Sequence, residues 1–135
     1  MKRVLVFGTF DIFHEGHRDF LRQARKYGDF LCALVARDAT VVEVKGMPPQ
    51  NDEQIRLAVL KNSGLVDEAM LGNLDDKYEA IKKYAPDVIC LGYDQKYFIE
   101  NLRGKLDEFG LQNTKIIKLK PYHPEKYKSS KLRIN

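Results

Sequence analysis

Short, unbroken apolar runs alternate along this chain with stretches of helical periodicity. Val4-Leu5-Val6-Phe7, Phe30-Leu31-Cys32-Ala33-Leu34-Val35-Ala36 and Val88-Ile89-Cys90-Leu91 have no polar face. A strand of that kind is buried on both sides, as happens in a parallel sheet covered by helices. The segments between them supply the helices. Phe20, Leu21, Ala24 and Tyr27 share one helical face, with Gly28 as the stop. Asn51 followed by Gln54 resembles a capping box, and Ile55, Ala58 and Val59 give the next helix an apolar stripe. Tyr78, Ile81 and Tyr84 mark a helix closed by Pro86, and Phe98, Leu102, Leu106 and Phe109 mark one ending at Gly110. Val66–Leu71 and Lys115–Leu119 complete the strands. The expected fold is α/β, a Rossmann-like, doubly wound parallel sheet of five strands. Its ligands belong beyond the carboxyl ends of the strands, where the strand order reverses. Two segments, Ala39–Gln50 and Lys120–Lys128, fit neither pattern and are expected to be loops at that rim.

A length of 135 residues is expected to make one domain, residues 1–135, with a core that needs no covalent staples. No apolar run approaches the roughly 20 residues of a membrane span. The apolar run after Met1-Lys2-Arg3 is too short for a signal-peptide core. Cys32 and Cys90 each lie inside an apolar run, so reduced, buried thiols in a cytoplasmic protein are expected. The formal charge of +4 favours an anionic ligand and suits nucleic acid, nucleotide or phosphorylated substrate equally.

The segment Gly8-Thr9-Phe10-Asp11-Ile12-Phe13-His14-Glu15-Gly16-His17 leaves the first buried strand and opens a helix. Backbone N–H groups and the helix dipole at such a junction suit phosphate. Gly8 would let the chain turn off the strand, and Gly16 would let a ligand approach the helix start. Two imidazoles flanking that glycine, His14 and His17, can donate hydrogen bonds to oxygens as charge develops. Each residue also has a plainer account: a histidine near a helix start is commonly a cap, and Asp11 can simply brace the loop. The joint pattern directly after the first strand favours the phosphate site. A zinc centre is not expected, because the three-residue spacing of His14 and His17 lacks a third ligand nearby.

Gly8-Thr9-Phe10-Asp11 followed by His14-Glu15-Gly16-His17 resembles the G-x-F-D…H-x-G-H signature of the cytidylyltransferase-like nucleotidyltransferases. Lys128-Ser129-Ser130-Lys131 stands where that family carries its Ser/Thr-rich second signature, so the resemblance spans nearly the whole chain. It implies the HUP-type nucleotidyltransferase domain. A class I aminoacyl-tRNA synthetase of the same superfamily is not expected, since 135 residues leave none for tRNA-binding domains. Phosphopantetheine adenylyltransferases usually have Thr or Ser where His14 stands. Val35-Ala36-Arg37-Asp38, Lys45-Gly46 with prolines following, Leu91-Gly92-Tyr93-Asp94-Gln95 and Tyr127-Lys128-Ser129-Ser130-Lys131 resemble the archaeal-type FAD synthases. The glycerol-3-phosphate cytidylyltransferases typically show R-T-x-G-I-S-T, and this chain has Pro121-Tyr122-His123-Pro124 in the corresponding stretch.

The resemblance implies attack of an FMN phosphate oxygen on the α-phosphorus of ATP, giving FAD and expelling pyrophosphate. It implies that Thr9, Phe10, His14, Gly16 and His17 hold the phosphates of the nucleotide, with Ser129 and Ser130 on the β/γ side and Glu15 among the nucleotide-binding residues. His14, His17, Lys45 and Lys128 are the implied catalytic groups, the lysines as mobile cations. Gly92 and Asp94 are placed near the nucleoside and Tyr122 near the base, although a tyrosine in a Pro-rich loop also packs. Arg56 matches a family arginine, and an internal ion pair accounts for it equally well. Mg²⁺ or another divalent cation is expected with the triphosphate, held largely by phosphate oxygens and water rather than by a protein site. The expected partners are ATP and FMN, with no nucleic acid or membrane, and a homodimer is a family-level expectation. Two other readings compete: a CTP-dependent transferase acting on glycerol-3-phosphate or a related phosphate, and a non-catalytic nucleotide- or RNA-binding module. Tyr78, Tyr84, Phe98 and Phe109 are expected in the core, and Lys82-Lys83 on a solvated face.

Overall fold

The structure, a computed structural model, describes residues 1–74, 78–92 and 99–121. Its elements run β1 (Arg3–Gly8), α1 (Glu15–Arg25), β2 (Phe30–Val35), α2 (Asp38–Lys45), α3 (Glu53–Asn62), β3 (Glu68–Leu71), α4 (Glu79–Tyr84), β4 (Val88–Leu91), α5 (Ile99–Glu108) and β5 (Lys115–Lys118). All strand pairs are parallel, and the order across the sheet is β3-β2-β1-β4-β5. The order reverses between β1 and β4, so the loops leaving those two strands flank the crevice where such sheets bind ligands.

The apolar runs are explained by burial on both faces. Val4, Val6, Leu31, Ala33, Val35 and Cys90 point to one side, against Leu21 and Ala24 of α1 and Leu60 of α3. Their neighbours Leu5, Cys32, Leu34, Ile89 and Leu91 point to the other, against Ile81 and Tyr84 of α4 and Leu102 and Leu106 of α5. Tyr78 and Tyr84 are core residues and Phe109 is half-buried beside them, whereas Phe98 lies outside the described residues.

Four local expectations need correction. Residues 38–45 form helix α2, although the Ala39–Gln50 segment reads as a loop. Its β-branched Thr40, Val41, Val42 and Val44 disfavour helix intrinsically. Tertiary bonds to Asp38 hold its first turn, and Gly46 at φ +79° ends it. Helix α3 is capped by Asp52, which accepts from the Ile55 N–H at 2.9 Å, one residue beyond the expected Asn51. Its buried face is Arg56 and Leu60, while Ile55 is 48% and Val59 39% exposed. The apolar stripe read from the sequence therefore faces outward, because the inner face is built around a guanidinium. Tyr27 falls beyond the end of α1 and is exposed. Among the described residues no helix is long and apolar enough to cross a membrane.

Candidate active site

The first loop is shaped by a close contact between a glycine and an aromatic ring. Phe10 is buried and adopts φ +52°, a left-handed conformation that costs a non-glycine residue of order 1 kcal/mol or more. Its ring lies over Gly8, where an added Cβ would stand 2.7 Å from the ring carbons. Gly8 is thus needed for the room it leaves to Phe10, more than for the turn expected of it. Phe10 in turn meets His17 edge-to-face at 5.5 Å, and Phe13 stacks on His17 at 5.5 Å. The left-handed turn at Phe10 delivers an aromatic seat for the imidazole.

His14 is the N-cap of α1. Its Nδ1 accepts the Gly16 N–H at 3.0 Å, and its own backbone N–H donates to His17 Nδ1 at 3.2 Å. The two rings are stacked with centroids 4.0 Å apart. A ring nitrogen that accepts a backbone N–H carries no proton, so the neutral form of each imidazole bears its proton on Nε2. Burial lowers both pKa values, with the Arg18 charge adding to the effect on His14. For His17 burial, then the charges of His14, Lys45 and Arg18, push it down to about 3. The pair is therefore neutral at physiological pH and offers two Nε2–H donors of fixed tautomer. The helix-start amides are employed differently from expectation: Gly16 N–H serves His14, and His17 N–H bonds the His14 carbonyl at 3.0 Å.

Behind the histidines lies a buried polar cluster. Asp11, 2% exposed, accepts the N–H groups of Gln50 at 2.7 Å and Asn51 at 2.8 Å. Arg56 donates to the Thr9 carbonyl at 2.8 Å, the Asn51 carbonyl at 2.9 Å and the Asp38 carboxylate at 2.7 Å. The bracing account of Asp11 and the internal ion pair of Arg56 are what the structure shows. No local pattern marks this set, because the acceptors of Arg56 lie 5, 18 and 47 residues away along the chain.

Thr9, Phe10, His14, Gly16 and His17 are gathered in this one loop and helix start. Gly92 follows β4 directly, two residues beyond the Val6–Cys90 pairing and so level with Gly8. Lys45 is exposed at the C-terminal turn of α2, close enough for its charge to act on His17. Glu15 is exposed and its carboxylate pairs with Arg18 at 3.1 Å and Arg22 at 3.7 Å, on the outer side of α1. Asp94, Tyr122, Lys128, Ser129 and Ser130 lie outside the described residues. Among the described residues no cluster of three or more His, Cys, Asp or Glu is placed to hold a metal ion. A cavity of about 420 Å³ lies elsewhere, between β3 and α4, and includes Arg3, Phe30, Met70 and Tyr84 but no residue of the first loop.

Residues 5–135 match the cytidylyltransferase-like family. The FAD synthase of Aciduliprofundum boonei is 43% identical over 122 residues, covering 90% of this chain and 80% of that protein. The FAD synthase of Methanohalophilus mahii is 45% identical over 123 residues, covering 91% and 84%. Among solved structures, a Thermoplasma volcanium protein described as a lipopolysaccharide core biosynthesis protein superposes with a TM-score of 0.84 at 39% identity, covering 90% of this chain and 98% of that one.

Proposed function

The chain belongs to the cytidylyltransferase-like family, and we propose that within it this protein is an FAD synthase, transferring AMP from ATP to FMN with release of pyrophosphate. The observation that carries the reading is identity above four-tenths to FAD synthases over some nine-tenths of the chain. The geometry of the first loop supports it.

An FMN phosphate oxygen attacks the α-phosphorus of ATP, forming the new P–O bond as the bond to the β-phosphate oxygen breaks and pyrophosphate leaves. A phosphate monoester is ionised at neutral pH, so the nucleophile needs no strong base. The work left to the protein is positioning and electrostatic stabilisation. Two neutral imidazoles suit that work. Their Nε2–H groups donate to phosphate oxygens without taking up a proton, and their orientation is set in advance by the backbone bonds to Nδ1. The positive end of the α1 dipole adds to the same field. Lys45, on an exposed helix end, brings a cation to the triphosphate, and the family resemblance gives Lys128, Ser129 and Ser130 the β/γ-phosphates. Gly92, Asp94 and Tyr122 face the nucleoside in the same reading. A divalent cation arrives with ATP as part of the substrate, bound to phosphate oxygens and water.

Incubation with FMN, ATP and Mg²⁺ tests this directly. FAD and pyrophosphate in equal amounts are expected, with a loss on the order of 10²–10³ in rate for His17→Ala. Absence of both products refutes the assignment. ATP should also raise the melting temperature more than CTP does, because a ligand bound only to the folded state stabilises it. A larger shift with CTP turns the reading toward a cytidylyl donor.

A further inference from the structure

We propose that Arg56 and Asp11 are positioning residues for nucleotide binding: they lock the segment that carries Lys45 to the first loop and so set where the lysine meets the triphosphate. The inference rests on the reading of the site as a nucleotide-phosphate site.

Lys45 is held at both ends of its segment. Upstream, α2 begins at Asp38, whose carboxylate receives Arg56 and whose N–H donates to Glu53 at 2.8 Å. Downstream, after the turn at Gly46, the chain is fastened at Gln50 and Asn51 by Asp11 and again at the Asn51 carbonyl by Arg56. The same guanidinium holds Thr9, the first residue after Gly8. Asp11 belongs to that loop too, three residues before His14. One buried cation and one buried carboxylate thus join the loop of the histidines to both flanks of the Lys45 segment. Arg56 is 1% exposed. A buried guanidinium is an expensive way to fill a core and confers little over an apolar side chain of similar volume. Its three acceptors come from three separate segments, which is a geometry for registration. Between the two clamps, Val44, Lys45, Gly46, Met47 and Pro48 are exposed, and a Cβ on Gly46 would meet nothing within 4 Å. The segment is therefore fixed at its ends, with the lysine on the exposed stretch between them.

A double-mutant cycle read by ATP affinity, alongside FAD formation, separates positioning from plain stabilisation. Asp11→Asn turns an acceptor into a donor against a backbone N–H. Asp38→Ala removes the half-exposed partner of Arg56 and serves if Asp11→Asn does not fold. Each is expected to weaken ATP binding about tenfold in a folded chain. In a Lys45→Ala background either change should add little, since the group being positioned is gone. Arg56→Lys keeps the charge but cannot span three acceptors, and should behave like Asp11→Asn. Losses that multiply with Lys45→Ala, or unchanged ATP affinity in folded single variants, overturn the proposal. A wild-type chain that binds ATP but makes no FAD removes the acceptor assignment and leaves the coupling to be judged on binding alone.

Discussion

The backbone N–H of His14 donates to Nδ1 of His17 across 3.2 Å, and the two imidazoles stack at 4.0 Å. This single relationship fixes the tautomer of His17, holds its ring, and sets two donors side by side. It also requires that neither ring be protonated, because stacked imidazolium ions repel and a protonated Nδ1 cannot accept.

The first prediction concerns pH. Unfolded His17 titrates near 6.5, whereas in the fold its pKa is lowered to about 3. Between those values the unfolded chain binds the extra proton, so stability rises with pH through the window and levels off above it. His14, also lowered, acts in the same direction. Urea unfolding between about pH 4 and 7 should show a shallower slope in His17→Gln than in the wild type. Equal slopes would mean that His17 is not held neutral.

His14 has two tasks that substitution can separate. His14→Ala removes the N-cap and should cost about 1 kcal/mol, a fall of a few degrees in Tm. His14→Asn restores a cap of good propensity and should recover most of that stability. Neither variant supplies Nε2–H, so both should lose on the order of 10²–10³ in the rate of FAD formation. Recovery of rate along with stability in His14→Asn would reduce His14 to a cap.

Gly8→Ala puts a Cβ 2.7 Å from the Phe10 ring. Overpacking of this kind should cost about 1–3 kcal/mol, and the displaced ring should disturb the seat of His17. Thermal melting and FAD formation should fall together. Adding Phe10→Leu should return part of the stability without the rate, because the edge-to-face contact to His17 is then lost. A wild-type rate in Gly8→Ala would show that the aromatic seat is dispensable.

The cysteines should be inert in the native state. Cys32 and Cys90 are fully buried strand residues, and burial pushes each thiol up to about 12, with the Glu68 charge adding to Cys32. Titration with a thiol reagent is expected to find no rapid reaction in the native protein and both thiols after denaturation. Fast labelling of the folded chain would contradict the burial of the two thiols.

Much of this architecture is legible in the sequence. A strand buried on both faces must be apolar throughout, so Val4–Phe7, Phe30–Ala36 and Val88–Leu91 announce a covered parallel sheet, and β4 spans the last of these runs residue for residue. The G-x-F-D…H-x-G-H spacing likewise put the histidines at a strand-to-helix junction. What failed was local reading where distant groups decide. Helix α2 has poor intrinsic propensity and exists because Asp38 is held by Arg56 and Glu53. Helix α3 turns Ile55 and Val59 outward because its inner face serves acceptors on Thr9, Asn51 and Asp38.

The sequence by itself therefore determined the fold class and the strand-to-helix junction that carries His14 and His17, since periodicity and motif spacing are properties of neighbours along the chain. The tertiary structure alone decided that the imidazoles are neutral, that Gly8 makes room for Phe10, and that Asp11 and Arg56 hold the Lys45 segment. Burial, tautomer and register arise from atoms brought together across tens of residues, and no local pattern encodes them.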